Sequence, residues 1–149
     1  NSPNLAGSIS NLVEENENYR RQAEEFMKER SAELKNRLTE DKQYINGVNV
    51  IVLKGEFHPE IIKNLAFAFK IEENTIFIAG YEFDKKANLA LMYSDDLVAH
   101  GRNAGKDIRE AAKLIEGGGG GQSFFATAGG KNAEGISAAI AKLIELATK

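Results

Sequence analysis

Hydrophobic residues in the first third of the chain follow the spacing of a long amphipathic helix. Residues 8–46 contain neither glycine nor proline, and apolar or mid-sized residues recur three and four positions apart. The pattern predicts one helix, from about Ser10 to Tyr44, with a coiled-coil-like stripe along one face. Such a stripe needs an apolar partner: a second copy, a segment upstream of this chain, or, as the alternative, the helix's own domain. The candidate contact residues of this helical arm are Ile9, Leu12, Tyr19, Phe26, Leu34 and Leu38.

The pattern changes after Asn46-Gly47, a pair that we expect to end the helix as a left-handed cap. Beyond it, β-branched runs alternate with short amphipathic segments, which is typical of an α/β domain. The sequence therefore predicts a mixed β-sheet with flanking helices over residues 47–149, preceded by the helical arm of residues 1–46, which serves oligomerisation or interdomain contact. The expected elements are a strand at 48–53, a helix at 60–70, strands at 74–83 and 87–93 paired as a hairpin, a short helix ending at Gly101, a helix at 103–115, a strand at 123–128 and a helix after Asn132.

Five consecutive glycines, Gly117, Gly118, Gly119, Gly120 and Gly121, lie between two of these elements, where we expect a loop. Glycine destabilises regular structure by about 0.5–1 kcal/mol relative to alanine, so a domain that keeps such a run needs bare backbone there. One explanation is the close approach of a phosphate to the backbone N–H groups. The other is a tight crossing of chain segments, and the pattern leaves both open. The spacing matches neither a P-loop nor a dinucleotide-binding fingerprint.

A stripe of cations leads into the glycines. Lys106, Arg109 and Lys113 recur three and four positions apart, so they share one face of the predicted helix, with Arg102 and Asn103 at its start. Together with the glycines they predict a short basic track that would hold a sugar-phosphate backbone without reading bases. The alternative is an ordinary solvated helix face, because Glu110 and Glu116 flank the stripe.

Further candidates follow the glycines. Phe124 and Phe125 would either stack on bases or, as we favour here, belong to the core. A second glycine pair, Gly129-Gly130, precedes Lys131, which would complete an anion site at the N-terminus of the last helix.

Composition excludes several kinds of chemistry. The 149 residues include no cysteine and two histidines, His58 and His100, and the spacing of metal ligands or of a nucleophile with its base is absent. We therefore predict neither a catalytic residue nor a metal site. The net charge is −3, but the last third of the chain, residues 94–149, is neutral and so the least hostile to a polyanion. Without a membrane span or a signal peptide, and without an initiating Met, the chain is expected to be a cytoplasmic piece of a longer protein.

The glycine region resembles a known family. The run Ser94-Asp95-Asp96-Leu97-Val98, the segment Asn103-Ala104-Gly105-Lys106, the glycine block with Gln122, and Ala126-Thr127-Ala128-Gly129-Gly130-Lys131 are together similar to the C-terminal domain of alanyl-tRNA synthetase. That domain is itself similar to the one associated with DHH-type phosphoesterases. The positions that carry the match are Gly117 to Gly121, Gln122, Ala128, Gly129, Gly130 and Lys131.

This resemblance implies a function for the chain. The parent enzyme would be an ATP-dependent alanine–tRNA ligase that uses Mg and Zn. This piece would be non-catalytic and free of cofactors: it would help to bind tRNA(Ala), link the aminoacylation and editing modules, and support a homodimer through the arm. The RNA-binding residues would be Arg102, Asn103, Lys106, Arg109, Lys113, the five glycines, Gln122 and Lys131.

Two departures from the family pattern bear on this function. Many relatives have Arg or Lys directly after the glycines, where this chain has Gln122, and a Pro-Asp pair where it has Ser123-Phe124. A histidine that phosphoesterase relatives use after the glycines is missing, so hydrolysis is not carried over. The alternatives are a purely structural dimerisation domain with negligible affinity for nucleic acid, which the net negative charge favours, and, as a third reading, a residual phosphoesterase.

Overall fold

Six strands form one mixed sheet in the order β1-β2-β3-β4-β6-β5. The computed structural model describes the backbone of residues 2–148 and the side chains of residues 17–148. Strands β2 and β3 are parallel and the other neighbours are antiparallel. The strands are β1 Gln43–Ile45, β2 Val48–Glu56, β3 Thr75–Phe83, β4 Lys86–Tyr93, β5 Gly117–Gly121 and β6 Phe125–Gly130.

Within residues 2–148, five helices accompany the sheet, and the predicted α/β class with flanking helices and a long N-terminal helix is confirmed. They are α1 Ser2–Glu40, α2 Pro59–Lys70, α3 Asp95–Ala99, α4 Ala104–Ala112 and α5 Ile136–Ala147, with 3₁₀ turns at Lys113–Ile115 and Ala133–Gly135. The predicted cap at His58 is confirmed, because its Nδ1 accepts a hydrogen bond from the Glu60 N–H at 3.1 Å and Pro59 opens the helix.

Two separate apolar clusters cover the two faces of the sheet. On one face, α4 and α5 pack on β3, β4 and β6 through residues such as Ile78, Leu91 and Ile108. On the other face, α2 and the C-terminal part of α1 pack on β2, β3 and β4. The parallel pair β2–β3 is buried on both sides, which agrees with its β-branched sequence.

The end of the arm differs from the sequence prediction. Helix α1 ends at Glu40 instead of Tyr44, and a strand that was not predicted, β1, follows it. Asn46 and Gly47, with φ angles of 51° and 89°, form the two-residue turn of a hairpin between β1 and β2. Asn and Gly favour left-handed backbone conformations both at helix caps and in tight hairpin turns. The prediction of a left-handed backbone at Asn46-Gly47 was therefore correct, but the prediction that it ends a helix was wrong.

The glycine run also differs from the prediction. Residues 117–121 are the edge strand β5, paired with β6, and not a loop. The helix before it is shorter than expected, because α4 ends at Ala112 and a 3₁₀ turn carries the chain to Ile115. Glu116 then adopts a left-handed conformation, φ 54°, which turns the chain into β5.

Candidate nucleic-acid interface

Three of the five glycines in β5 are required by contact with the neighbouring strand. A β-carbon on Gly119 would lie 2.5 Å from the Ala128 Cβ, and one on Gly121 would lie 2.6 Å from the Phe125 carbonyl oxygen. One on Gly117 would overlap the Gly129 carbonyl oxygen. Real side chains do not approach this closely, so β5 reaches β6 only because these positions have no side chain.

The other two glycines have no such neighbour. A β-carbon on Gly118 would have no atom of the described structure within 4 Å. One on Gly120 would lie 3.6 Å from the Nε and Nη2 atoms of Arg109, an ordinary contact. The tight crossing expected as one explanation therefore accounts for Gly117, Gly119 and Gly121. It does not account for Gly118, which is exposed at the sheet edge, or for Gly120, which is half-buried beside Arg109.

Helix α4 brings its cations to this edge by a short series of backbone contacts. Asn103 caps the helix, as predicted, because its Oδ1 accepts a hydrogen bond from the Lys106 N–H at 3.1 Å. The Ala104 N–H donates to the Ser123 carbonyl at 2.9 Å, and a β-carbon on Gly105 would lie 2.8 Å from the Gly121 carbonyl oxygen. The helix thus lies directly against β5, with its buried face inward and its charged face toward solvent.

The predicted cations do not all contribute in the same way. Lys106 and Arg109 are exposed on α4 and form no ion pair with the described side chains. Lys113, in the 3₁₀ turn after α4, lies 3.7 Å from the Glu110 carboxylate, so its charge is partly offset. The Arg102 guanidinium donates to the Leu146 carbonyl at 3.2 Å, which ties it to the end of α5.

The remaining predicted residues mark the two ends of β5. The Gln122 N–H donates to the Phe125 carbonyl at 2.9 Å and closes the turn from β5 to β6, while its side chain is exposed. Lys131 lies at the opposite end of the strand, in a depression shared with Lys86, Glu116 and Gly129. Arg109, beside Gly120, and Lys131, which follows Gly130 opposite Gly117, therefore lie toward opposite ends of the glycine strand.

Asp107, the acidic residue in the first turn of α4, is held toward the core. The Tyr93 hydroxyl donates a hydrogen bond to its carboxylate. Burial raises the pKa of Tyr93 far above its usual value of 10, and the hydrogen bond and charge of Asp107 raise it further, so the phenol stays protonated at neutral pH. This hydrogen bond ties the Asp107 carboxylate to a buried tyrosine.

Sequence reasoning missed an aromatic side chain next to the glycines. Phe67, on α2, is 41% exposed and contacts Phe124 and Phe125, with ring centroids 6.1 and 5.8 Å apart. Both residues of the pair are only partly buried, and Phe125 alone packs against the core, so the core assignment is wrong for Phe124. No local signal in the sequence identifies Phe67, because it lies some fifty positions before the glycines and only the tertiary fold brings it close to them.

The stripe proposed for association is divided by the structure. Tyr19 and Phe26 are 67% and 66% exposed. Leu34 and Leu38 are 6% and 8% exposed and belong to the core between α1, α2 and the sheet, so they are already covered within this chain. The side chains of Ile9 and Leu12 lie outside the described residues.

The described residues contain neither a cluster of metal ligands nor a membrane-spanning helix. No group of three or more His, Cys, Asp or Glu side chains within the described part could hold a metal ion. No helix there is both long enough and apolar enough to cross a membrane.

With this geometry in place, comparisons identify the class of protein. The DHHA1 domain model matches residues 47–149, and the chain belongs to this family. It is 48% identical over 149 residues to the alanine–tRNA ligase of Bacteroides thetaiotaomicron and likewise to that of Bacteroides fragilis strain YCH46, in each case over 99% of this chain. The chain spans 17% of the length of these relatives.

A solved structure agrees with this assignment at the level of the fold. The C-Ala domain from Aquifex aeolicus alanyl-tRNA synthetase is similar to this chain with a TM-score of 0.65 and 24% identity. The match covers 72% of this chain and 98% of that domain. The domain model and the ligase relatives, together with this fold, confirm the resemblance predicted from the glycine region.

Proposed function

We propose that this chain is a non-catalytic, tRNA-binding module of an alanyl-tRNA synthetase. The observation that carries the proposal is the pair Gly118 and Gly120, bare backbone that packing does not require, with Gly120 beside the guanidinium of Arg109, which forms no ion pair with the described side chains. A phosphate has the charge and the small size to use such a surface, with Lys106 and Arg109 supplying the attraction. Because the relatives that this chain resembles are alanine–tRNA ligases, we expect the nucleic acid that it binds to be tRNA.

The cations of α4 and of the 3₁₀ turn that follows it give the first test. Replacing Lys106, Arg109 and Lys113 together by Gln should weaken tRNA binding and reduce the dependence of affinity on salt, because about one counterion is released for each phosphate contact. Fluorescence anisotropy over a series of salt concentrations measures both quantities. We expect the slope of log Kd against log salt to fall by about 2–3 in magnitude.

A matched control separates this site from general electrostatics. Replacing Lys63, Lys85 and Lys142 by Gln removes the same net charge from α2, the β3–β4 turn and α5. It should change the affinity much less than the α4 variant does. Equal losses in the two variants would show that only the overall charge matters, and unchanged binding in the α4 variant would refute the site.

The second candidate function is association without RNA binding. Tyr19 and Phe26 are exposed aromatic residues seven positions apart on α1, so they lie on one helix face, and the net charge of −3 disfavours a polyanion. Linking the aminoacylation and editing modules and supporting a homodimer would then be the role of the chain. Sedimentation that detects a dimer but no complex with tRNA would favour this function over the first.

A further inference from the structure

Next to the exposed end of the glycine strand, the surface has an apolar depression. Phe67, Phe124 and Phe125 line it together with Gly120, Gly121 and Gln122; Ala126 and Thr127 complete it. The rings of Phe124 and Phe125 are close enough to the Phe67 ring for tilted aromatic contacts. We call these residues the Phe67 depression.

Two cations, Lys70 and Arg109, lie next to the Phe67 depression. The Lys70 Nζ lies 4.3 Å from the centre of the Phe124 ring, and the guanidinium of Arg109 borders Gly120. None of the lining residues is acidic. Lys70 is paired with Asp95 at 3.5 Å, which leaves Arg109 as the cation at the rim without a described carboxylate partner.

An occupant of this surface needs two properties at once. It must have a flat apolar face for the phenylalanine rings and a negative charge within reach of Arg109 and the backbone of Gly120. A nucleotide has both, because every base presents a π-face that stacks on aromatic side chains and is joined to a phosphate. An apolar peptide would fill the depression but would leave the guanidinium without a partner.

We propose that the Phe67 depression receives one unpaired base of the bound RNA, which stacks on Phe67 and Phe124 while its phosphate lies against Arg109 and Gly120. This inference rests on the proposed RNA-binding function. It adds a contact to one base, whereas the cations of α4 and the glycines would contact only the sugar-phosphate backbone of the RNA. The base must be unpaired, because a base in a duplex has its faces covered by its neighbours.

Phe67 and Phe83 provide a matched test. They are 41% and 40% exposed, and Phe83 lies at the end of β3 against His58, away from the glycine strand. Phe67→Ala should weaken tRNA binding by about 5- to 100-fold, the range for loss of one base stack, whereas Phe83→Ala should have no effect. Phe67→Tyr keeps the ring and should retain the affinity of the unmodified chain.

Two readouts distinguish stacking from charge and from loss of fold. The salt slope should stay unchanged in Phe67→Ala, because no phosphate contact is removed, while the α4 cation variant lowers it. Binding to a blunt RNA duplex should be equal for Phe67→Ala and the unmodified chain. If circular dichroism shows that Phe67→Ala unfolds, Phe124→Ala replaces it, since Phe124 lies outside the core clusters.

The outcomes separate this inference from the proposed function. If the α4 variant weakens tRNA binding but the phenylalanine variants do not, the base site is wrong and RNA binding stands. If Phe67→Ala and Phe83→Ala lose affinity equally, or Phe67→Ala weakens duplex binding as well, the base site is also wrong. If the unmodified chain binds neither tRNA nor a short oligouridylate, both proposals fall.

Discussion

Gly118 and Gly119 are adjacent in β5, yet a methyl group would have opposite consequences at the two positions. At Gly119 it would meet the Ala128 side chain and the Thr127 carbonyl oxygen at 2.5 and 2.6 Å. At Gly118 it would enter open space, and the φ angle there is not in the left-handed region. The alternation means that contact with β6 explains only one set of glycines, Gly117, Gly119 and Gly121, and that Gly118 and Gly120 have steric room for a side chain.

This difference predicts opposite changes in stability. Gly119→Ala should lower the free energy of unfolding by about 1–3 kcal/mol through forced overlap with β6. Gly118→Ala should leave it unchanged or raise it by up to about 1 kcal/mol, because alanine restricts the unfolded chain. Urea denaturation measures both, and anisotropy with tRNA should show weaker binding for Gly118→Ala despite its intact fold. Equal destabilisation by the two substitutions would contradict the assignment.

Asp96 makes stability depend on pH through its hydrogen bonds. Burial acts to raise its pKa, but a hydrogen bond from the Ser94 hydroxyl at 2.5 Å and one from the Asn74 N–H at 2.8 Å outweigh it, so the pKa of Asp96 lies below its usual value. A carboxylate whose pKa is lowered by folding contributes stability above its unfolded pKa, and this contribution is lost as the pH falls through the folded pKa.

Asp96→Asn should therefore lower the unfolding temperature at pH 7 and reduce the further loss on acidification. The effect should lie between roughly pH 5 and pH 3, around and below the usual pKa of an aspartate. Thermal unfolding followed at several pH values checks this, with Asp95→Asn as the control, since Asp95 is the exposed neighbour. If the unfolding temperatures of Asp96→Asn and the unmodified chain change with pH in the same way, Asp96 does not cause the pH dependence.

Elements with strong periodicity could be predicted from the sequence, and elements that depend on distant partners could not. The helices α2, α4 and α5 and the β3–β4 hairpin follow from apolar spacing, caps and the Asp84-Lys85 turn. Strand β1 has three residues and gains its hydrogen bonds only from β2, so its sequence has no period to detect. The glycine strand has no side chains at all, and only its pairing with β6 makes it a strand.

The candidate site shows the same division. Lys106 and Arg109 were found because they lie three positions apart on a helix whose apolar face fixes which way they point. Phe67 could not be found from the sequence, because the order of the strands in the sheet brings it near the glycines. Strands β6 and β5 lie beside β4, and the C-terminal part of α2 therefore lies close to them. The distance of Lys131 from Arg109 follows from the antiparallel register, in which Gly117 pairs with Gly130 and Gly121 with Ala126.

The molecule as a whole combines a packed domain with a protruding helix. All side chains described between Glu17 and Phe26 are exposed, and contact with the core begins at Met27. From there Leu34 and Leu38 attach the helix to α2 and the sheet. A helix of 39 residues extends about 58 Å, which is longer than a domain of this size can cover. The described part of the helix thus has two halves: residues 17–26 are exposed, and the residues from Met27 onward pack on the domain.

The two halves should respond differently to substitution. On the proposal that α1 supports a homodimer, replacing Tyr19 and Phe26 together by Ser should lower the dimer fraction in sedimentation velocity, because it removes the exposed apolar face. It should leave the unfolding midpoint of the monomer unchanged. Leu34→Ala should instead lower the free energy of unfolding by about 2–5 kcal/mol, since it opens a cavity against α2. An unmodified chain that sediments as a monomer would remove the association role. If the double variant is as unstable as Leu34→Ala, the part of α1 that carries Tyr19 and Phe26 packs on the domain in solution. The surface that binds a second copy would then have to lie elsewhere.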